Sequence, residues 1–193
     1  MKEIYNCMNI LIIGKSALAK AVEPLLHKHN VTIVGRPEYD IASKYECNRI
    51  VREHNPDCVI LTQGVMDQDI WNNLTVNCTS AIYLINEFYN KMHSGQIIAV
   101  SSAVVNWQSW PGKNISQLVY ATAKTTLSQF CSYMNRKNMP EEQEKNISIQ
   151  VYEPQNFPSK ITPNSKQDIT DVAKELEMLI ENPRISVMQG LNR

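Results

Sequence analysis

A tyrosine and a lysine, Tyr120 and Lys124, stand four residues apart in the segment VYATAKTTL at 119–127, and together they could carry out acid–base chemistry. A separation of four residues is slightly more than one helical turn, so in a helix the phenol and the ammonium project from one face. Free tyrosine titrates near ~10, and a neighbouring cation lowers that pKa toward the range useful for acid–base work. The same pair is also typical of ordinary amphipathic helices with a snorkelling lysine, so the rest of the chain has to decide between the two interpretations.

A glycine-containing turn follows the first apolar run, in the segment IGKSALAKAV. Gly14, Ser16 and Ala19 occupy the places at which a dinucleotide-binding turn has the pattern G-x-G-x-x-G/A. In a doubly wound sheet, this turn holds a pyrophosphate on the N-terminus of the following helix. Serine at the second place narrows the approach of the backbone to phosphate but offers a hydroxyl donor. The turn therefore predicts a nucleotide site with a degenerate glycine pattern.

An arginine after the second apolar run indicates which dinucleotide this site prefers. Arg36 follows VTIVG at 31–35, and no acidic residue stands at the strand tip, where a site for NAD usually carries one to hold the ribose hydroxyls. A guanidinium at this place can pair with a 2′-phosphate, an interaction worth about ten- to a hundredfold in affinity. Arg36 and Lys15 therefore favour NADP(H) over NAD(H), while a solvated turn arginine remains the alternative.

Short apolar runs alternate with stretches of helical spacing, which predicts an α/β fold with a single doubly wound parallel sheet of the Rossmann-like type. The predicted strands are 9–14, 31–35, 58–64, 96–102 and 147–154. The predicted helices are 17–29, 43–54, 70–92, 118–138 and 165–183, and RISVMQG at 184–190 is a candidate terminal strand. A length of 193 residues suits one domain, so we expect residues 1–193 to form a single dinucleotide-binding domain that carries its own active site.

The composition argues against several classes of partner. The 19 Lys and Arg residues balance the 19 Asp and Glu residues without a long run of either sign, so no surface for nucleic acid or anionic membrane is expected. The apolar runs are too short to span a bilayer, and the N-terminus lacks a signal-peptide pattern. The five cysteines form no C-x-x-C pair and the four histidines have no companions at ligand spacing, so we expect a reducing, cytoplasmic location and no metal site.

Several motifs in order along residues 9–163 resemble the short-chain dehydrogenase/reductase family. They are the glycine turn, TQG at 62–64 where the family often has Asn-Ala-Gly, VNCTS with Asn77, VSS ending in Ser102, and YATAK with Tyr120 and Lys124. The conjunction is far more specific than any of its members. The resemblance implies an oxidoreductase that uses NADP(H) to reduce a carbonyl, or to oxidise an alcohol, on a small molecule.

The resemblance implies a role for each catalytic residue. Tyr120 would donate a proton to the substrate oxygen, and Ser102 would donate a hydrogen bond to the same atom. Lys124 would bind the nicotinamide ribose and lower the pKa of the tyrosine, while Asn77 would hold a water that relays protons to the lysine. Among cofactor contacts, the resemblance adds Gly64 of TQG, and it places Asp40 and Ile41 against the adenine.

The loops at 103–118 and 155–168 are expected to line the substrate pocket, and Trp107 and Trp110 either cover substrate there or anchor the loop. The long helices 70–92 and 118–138 resemble those that pair between subunits in the family. With Ile82, Leu127 and Phe130 expected on their outer faces, they predict a homodimer or homotetramer. The eroded glycine pattern leaves one alternative function, a dinucleotide-binding sensor or scaffold that has the fold without turnover.

Overall fold

The centre of the protein is a parallel sheet of five strands, seen in a computed structural model that describes residues 7–105, 114–137, 145–154 and 168–182. The strands are β1 (Asn9–Ile13), β2 (Asn30–Val34), β3 (Cys58–Leu61), β4 (Ser94–Val100) and β5 (Asn146–Tyr152). Their spatial order is β2-β1-β3-β4-β5, and every neighbouring pair is parallel. This is one of the two common doubly wound orders, so the predicted fold class is confirmed.

Helices follow the strands as the alternating sequence pattern predicts. They are α1 (Ala17–Val22), α2 (Lys44–Glu53), α3 (Ile70–Leu74), α4 (Ser80–Lys91), α5 (Ile115–Lys137) and α6 (Ile169–Glu181). A 3₁₀ turn at Glu23–Leu26 continues α1, a π turn at Thr75–Thr79 joins α3 to α4, and a second 3₁₀ turn lies at Ala103–Val105. In the described ranges, no helix combines the length and the apolar character needed to cross a bilayer.

Each face of the sheet is covered by helices, which explains why the strands are apolar almost throughout. All four residues of β3 are buried, because this central strand has neighbours on both sides and helices on both faces. One face packs against α1 and α6, in a cluster that includes Ile12, Leu18 and Leu176. The other face packs against α2, α4 and α5, in a cluster that includes Ile13 and Phe88.

The carboxyl ends of β1 and β3 form the crevice at which this topology binds ligands. The chain leaves β1 toward β2 on one side of the sheet, whereas the later strands are added on the other side, beginning with β3. The connections after β1 and β3 therefore diverge, and ligands of open α/β sheets bind outside the strand ends at this point. The glycine turn follows β1, and the TQG segment follows β3.

Several boundaries differ from the sequence prediction, and three of these differences alter an element within its length or near the site. The predicted helix 17–29 ends at Val22 and is followed by a 3₁₀ turn with Pro24 at its start. Proline is tolerated there because an N–H in the first turn has no acceptor within the helix. The predicted helix 70–92 is divided by the π turn. The strand predicted to reach residue 102 ends at Val100, which leaves two serines outside the ladder. The candidate strand 184–190 lies outside the described residues.

The expected apolar outer face of the long helices is wrong for Leu127. This residue is buried in the cluster beneath α5, because the face that carries it lies on the protein's own sheet. Ile82 and Phe130 are partly buried against the same cluster. The argument for self-association from these three residues therefore fails.

Candidate active site

The turn between β1 and α1 is built tightly around Gly14. Its φ is +111°, a conformation that L side chains rarely adopt, and its N–H donates to Val34 O at 2.8 Å. A Cβ at this position would lie 2.7 Å from Gln63 N, so any side chain would collide with the backbone that follows β3. Thr62 Oγ1 donates to Gly14 O at 2.8 Å and fixes the turn against that backbone. This turn therefore requires glycine at the one place of the pattern where the chain keeps it.

Ser16 and Ala19 take up the two other places of the pattern without glycine. Ser16 Oγ accepts a hydrogen bond from Ala19 N at 3.0 Å and thereby caps α1. Because the hydroxyl oxygen acts as acceptor in this bond, the hydroxyl proton can still be donated. Ala19 is fully buried in the cluster between α1 and the sheet, where a larger side chain would push the helix away.

Lys15 and Arg36 lie at the edge of the site beyond β2, and each is paired with a carboxylate. Lys15 Nζ bonds the Glu38 carboxylate, and Arg36 Nη2 lies 3.1 Å from Asp40 Oδ1. The four side chains are between 38% and 59% exposed. The hydrogen bond from Lys15 lowers the pKa of Glu38. The sequence analysis considered only the two cations at this place. In the structure, the loop after β2 pairs them with the carboxylates of Glu38 and Asp40.

Asp40, Ile41 and Gly64, which the resemblance assigns to the cofactor, occupy different environments. Asp40 Oδ1 accepts from Ala42 N at 3.1 Å, so its carboxylate is held by its own loop as well as by Arg36. Ile41 is buried in the core beneath α2 and α4. Gly64 is exposed beside the end of β3. The contact of these residues with a cofactor stays a prediction.

Tyr120 and Lys124 share a face of α5, and this face is buried. Tyr120 is 7% exposed and Lys124 is 2% exposed, with the Lys124 Nζ 5.9 Å from the centroid of the tyrosine ring. Burial raises the pKa of Tyr120 to about 12, and a hydrogen bond with Ser102 opposes this rise only in part. The expected lowering of the tyrosine pKa is therefore wrong for the protein alone, because removal of the phenolate from water outweighs the neighbouring groups.

Lys124 joins the ends of the two central strands. Its Nζ donates to Val100 O at 2.9 Å and to Gln63 O at 3.2 Å, which are the carbonyls that end β4 and follow β3. Burial lowers the pKa of Lys124 to about 8, and interactions with Cys78 and Cys131 oppose that change. The ammonium is thus compensated by backbone dipoles rather than by a carboxylate, which leaves it available to an anionic or hydroxyl-bearing ligand.

Ser102 lies where β4 has ended and the chain turns toward α5. Its Oγ accepts from Val104 N at 3.3 Å, and its backbone O accepts from Val105 N at 3.2 Å in the 3₁₀ turn. Ser102 is buried, and its hydroxyl interacts with Tyr120 in the sense that lowers the pKa of the phenol. The structure therefore brings together three of the four predicted catalytic residues, since Lys124 shares the helix of the tyrosine.

Asn77, the fourth predicted catalytic residue, lies in the π turn and is fully buried. Its Nδ2 donates to Val65 O at 2.6 Å and to Asn73 Oδ1 at 2.7 Å, while its Oδ1 accepts from Val65 N at 3.1 Å. The amide thus pairs with both backbone groups of Val65 in the manner of a strand neighbour. In this structure the side chain fixes the loop after β3, and the water that it is expected to hold stays a prediction.

Asn73 is a site residue that the sequence analysis missed. It is fully buried, its Oδ1 accepts from Asn77, and its Nδ2 donates to Ser116 O at 3.2 Å in the first turn of α5. It therefore connects the π turn to the helix that carries Tyr120. The signal was present in the sequence, because two asparagines four residues apart in a helix share a face and can pair.

The predicted substrate loops fall largely outside the described residues. The first is described at 103–105 and 114–118, the second only at residue 168, and Trp107 and Trp110 are not among the described residues. No three His, Cys, Asp or Glu side chains of the described ranges gather into a metal-binding group.

Comparison with known proteins gives a clear result for the fold alone. No family model matches the sequence, and no curated protein resembles it significantly in sequence. In structure, the chain is similar to a short-chain dehydrogenase from Burkholderia cenocepacia J2315 in complex with NADP, with a TM-score of 0.76 and 14% identity over 93% of each chain. It is also similar to a short-chain dehydrogenase/reductase from Serratia marcescens, with a TM-score of 0.73 and 16% identity over 89% of each chain.

A third similar structure is the bulky-bulky ketone specific alcohol dehydrogenase from Comamonas testosteroni, with a TM-score of 0.70 and 12% identity over 95% of this chain and 89% of that one. The first two of these neighbours are short-chain dehydrogenases by name, and the third is an alcohol dehydrogenase. The chain therefore has the fold that the resemblance of its motifs predicts.

Proposed function

We propose that this protein is an NADP(H)-dependent oxidoreductase that reduces a carbonyl, or oxidises an alcohol, on a small molecule. The observation that carries the proposal is that Gln63 connects the glycine turn to the catalytic group. Its backbone N lies against Gly14, and its backbone O accepts a hydrogen bond from Lys124. The glycine turn and the group of Ser102, Tyr120 and Lys124 thus meet at one edge of the sheet. A dinucleotide with its phosphates on the turn would present its far end to the catalytic side chains.

The residues of this edge fit such a cofactor. Gly14 keeps the backbone open where a Cβ would meet Gln63 N, Ser16 retains a hydroxyl proton, and Lys124 offers an ammonium to ribose hydroxyls. Lys15 and Arg36 offer cations at the end of β2, where a 2′-phosphate would lie. When bound, the nicotinamide would supply or accept the hydride.

The side chains of the site would manage the proton and the charge on oxygen. With a pKa of about 12, Tyr120 is a neutral phenol at physiological pH, which is the form that can give its proton to a carbonyl oxygen as the carbon is reduced. Ser102, whose hydroxyl bonds the phenol, would donate to the same substrate oxygen and stabilise the developing charge. A positive Lys124 would favour the tyrosinate that remains, and in the reverse direction that tyrosinate would take the proton of an alcohol.

The preference for NADP(H) rests on Arg36 and Lys15, with a qualification that the fold introduces. Both cations have carboxylate partners, so a 2′-phosphate would have to compete with Asp40 and Glu38. Exposed ion pairs in water contribute little, about 0–1 kcal/mol, whereas a phosphate carries more charge and more acceptor oxygens than a carboxylate. The 2′-phosphate would therefore displace the carboxylates, but the gain in affinity would be smaller than with unpaired cations.

A fluorescence titration with NADPH and NADH, followed by a panel of carbonyl substrates, tests the proposal. We expect saturable binding of both, tighter for NADPH, and turnover of at least one carbonyl compound. Binding without turnover on any substrate would favour the sensor or scaffold instead. A failure of both dinucleotides to bind would contradict the proposal altogether.

We also propose a cytoplasmic location and self-association through the outer face of α5. The five cysteines are all free, as a reducing compartment requires. Ile115, Leu118 and Tyr133 are exposed on α5, and the other exposed residues between them carry no charge. Light scattering should show a dimer or tetramer that Leu118→Lys shifts toward monomer, and a wild-type monomer at micromolar concentration would contradict this.

A further inference from the structure

Gln63 lies between the glycine turn and the catalytic lysine. On one side, its backbone N is the atom nearest to a Cβ built on Gly14, at 2.7 Å. On the other side, its carbonyl oxygen accepts from Lys124 Nζ at 3.2 Å. A ligand that reaches from the turn to Lys124 therefore passes this residue. The sequence comparison of TQG with Asn-Ala-Gly places an alanine here, so the glutamine is a feature of this chain.

The side-chain amide of Gln63 has a hydrogen-bonding capacity that the protein does not satisfy. Gln63 is 7% exposed, and its Oε1 is buried without a hydrogen-bond partner among the described residues. Another buried glutamine shows the usual arrangement, since Gln96 Nε2 donates to Leu179 O at 2.9 Å. An unsatisfied buried acceptor destabilises a fold, and native structures keep few of them without a functional reason.

The chemistry of the atom restricts what can satisfy it. An amide oxygen only accepts, and the phosphates of a dinucleotide have no protons to give at neutral pH, so they are excluded. The ribose hydroxyls of the dinucleotide are donors, and a ribose adjoins the phosphates on either side. We infer that Gln63 Oε1 accepts a hydrogen bond from a ribose hydroxyl of the dinucleotide, an inference that rests on the proposed function. Gln63 is then a cofactor-positioning residue that lowers the stability of the free protein in exchange for affinity.

The substitution Gln63→Met tests this inference, because methionine has a similar length and lacks the oxygen. Without cofactor, the melting temperature should rise by about 2 to 4 °C, since an unsatisfied buried acceptor is removed. The Kd for NADPH, measured by fluorescence titration, should rise about tenfold, as for the loss of one hydrogen bond. A residue with a purely structural role would not move the two quantities in this combination.

The matched control is Gln96→Met, in a buried glutamine whose amide is satisfied. Here the melting temperature should fall, because Leu179 O loses its donor, and the Kd for NADPH should not change. If Gln63→Met does not fold, Gln63→Ala removes the same oxygen with less bulk, and its Kd for NADPH should rise by a similar factor.

Fragments of the cofactor identify the donor. The affinity of ADP-ribose should fall with Gln63→Met as that of NADPH does, and a loss with ADP as well would assign the adenosine ribose. If only the affinity for NADPH falls, the inference is overturned, because the donor would then be the carboxamide group of the nicotinamide. Equal NADPH affinities of wild type and Gln63→Met would overturn the inference alone, whereas a wild type that binds no dinucleotide would overturn the proposed function with it.

Discussion

The two ends of the candidate site hold their charged groups in opposite ways. At the catalytic end, Lys124 is buried, bonded to two backbone carbonyls, and its pKa is lowered to about 8. At the other end, which we call the ribose edge and which lies beyond β2, Lys15 and Arg36 are exposed and paired with carboxylates. Because water screens charges at the surface and not in the interior, the charge of Lys124 interacts strongly with its surroundings, whereas the exposed ion pairs contribute little free energy. Substitutions should therefore have large effects at the catalytic end and small effects at the edge.

The largest effect is expected from Tyr120→Phe. The substitution deletes the proposed proton donor without changing the packing of the ring, so turnover should fall by about 10²- to 10⁴-fold while cofactor binding is preserved. Steady-state rates and a dinucleotide titration measure the two quantities. Tyr45→Phe, in an exposed tyrosine of α2 away from the site, is the control and should be neutral. Wild-type activity in Tyr120→Phe would show that Tyr120 and Lys124 are an ordinary helix pair.

Lys124→Met should change how stability depends on pH. The pKa of Lys124 is about 8 in the folded protein and near 10.5 in the unfolded chain, so between these values the unfolded chain holds the extra proton. The free energy of unfolding then rises with pH in this window, by up to about 3 kcal/mol from this one group.

Denaturant titrations of wild type and Lys124→Met at several pH values measure this effect. Tyr120 and buried cysteines such as Cys131 have raised pKa values and contribute the opposite slope above about pH 9, so the difference between the two proteins is the relevant quantity. A difference that does not change between pH 8 and 10.5 would contradict the lowered pKa of Lys124.

Asn73→Ala should destabilise the protein by about 1 to 3 kcal/mol, because it removes two hydrogen bonds of a buried side chain, one from Asn77 to Asn73 Oδ1 and one from Asn73 Nδ2 to Ser116 O. Since Asn73 connects the π turn to α5, kcat should also fall while KM changes little. Asn86→Ala, in an exposed asparagine of α4, is the control for helix propensity. A destabilised variant with wild-type kcat would show that the pair only supports the fold.

The smallest effects are expected at the ribose edge. Arg36→Ala should weaken NADPH about tenfold and leave NADH unchanged, at the lower end of the range for a charge-assisted pair because Asp40 competes. Asp40→Asn should tighten NADPH a few-fold, and both effects should shrink in high salt. Arg52→Ala, in an exposed arginine of α2, is the control. Equal wild-type affinities for NADPH and NADH would contradict the assignment of Arg36.

Local pattern was sufficient for much of the fold. The apolar runs and helical stretches predicted every strand and α-helix of the described residues, with α3 and α4 as one helix, because strands buried on both faces and amphipathic helices leave periodic signals. Two features of the fold were not predicted from these periodic patterns. A π turn inside a long helical pattern does not alter the periodicity enough to be seen, and Leu127 shows that an apolar residue on a helix does not reveal which neighbour covers it.

The candidate residues could be identified from the sequence: Tyr120 and Lys124 share a face because of helical geometry, and Gly14 stands at the first place of the dinucleotide-binding pattern. Their chemical state, in contrast, depends on the folded chain. The carbonyls that hold Lys124 come from Gln63 and Val100, which are 61 and 24 residues away in the chain. The strength of a charge or a hydrogen bond depends on burial and on partners distant in sequence, and both are set by the packing of the whole chain.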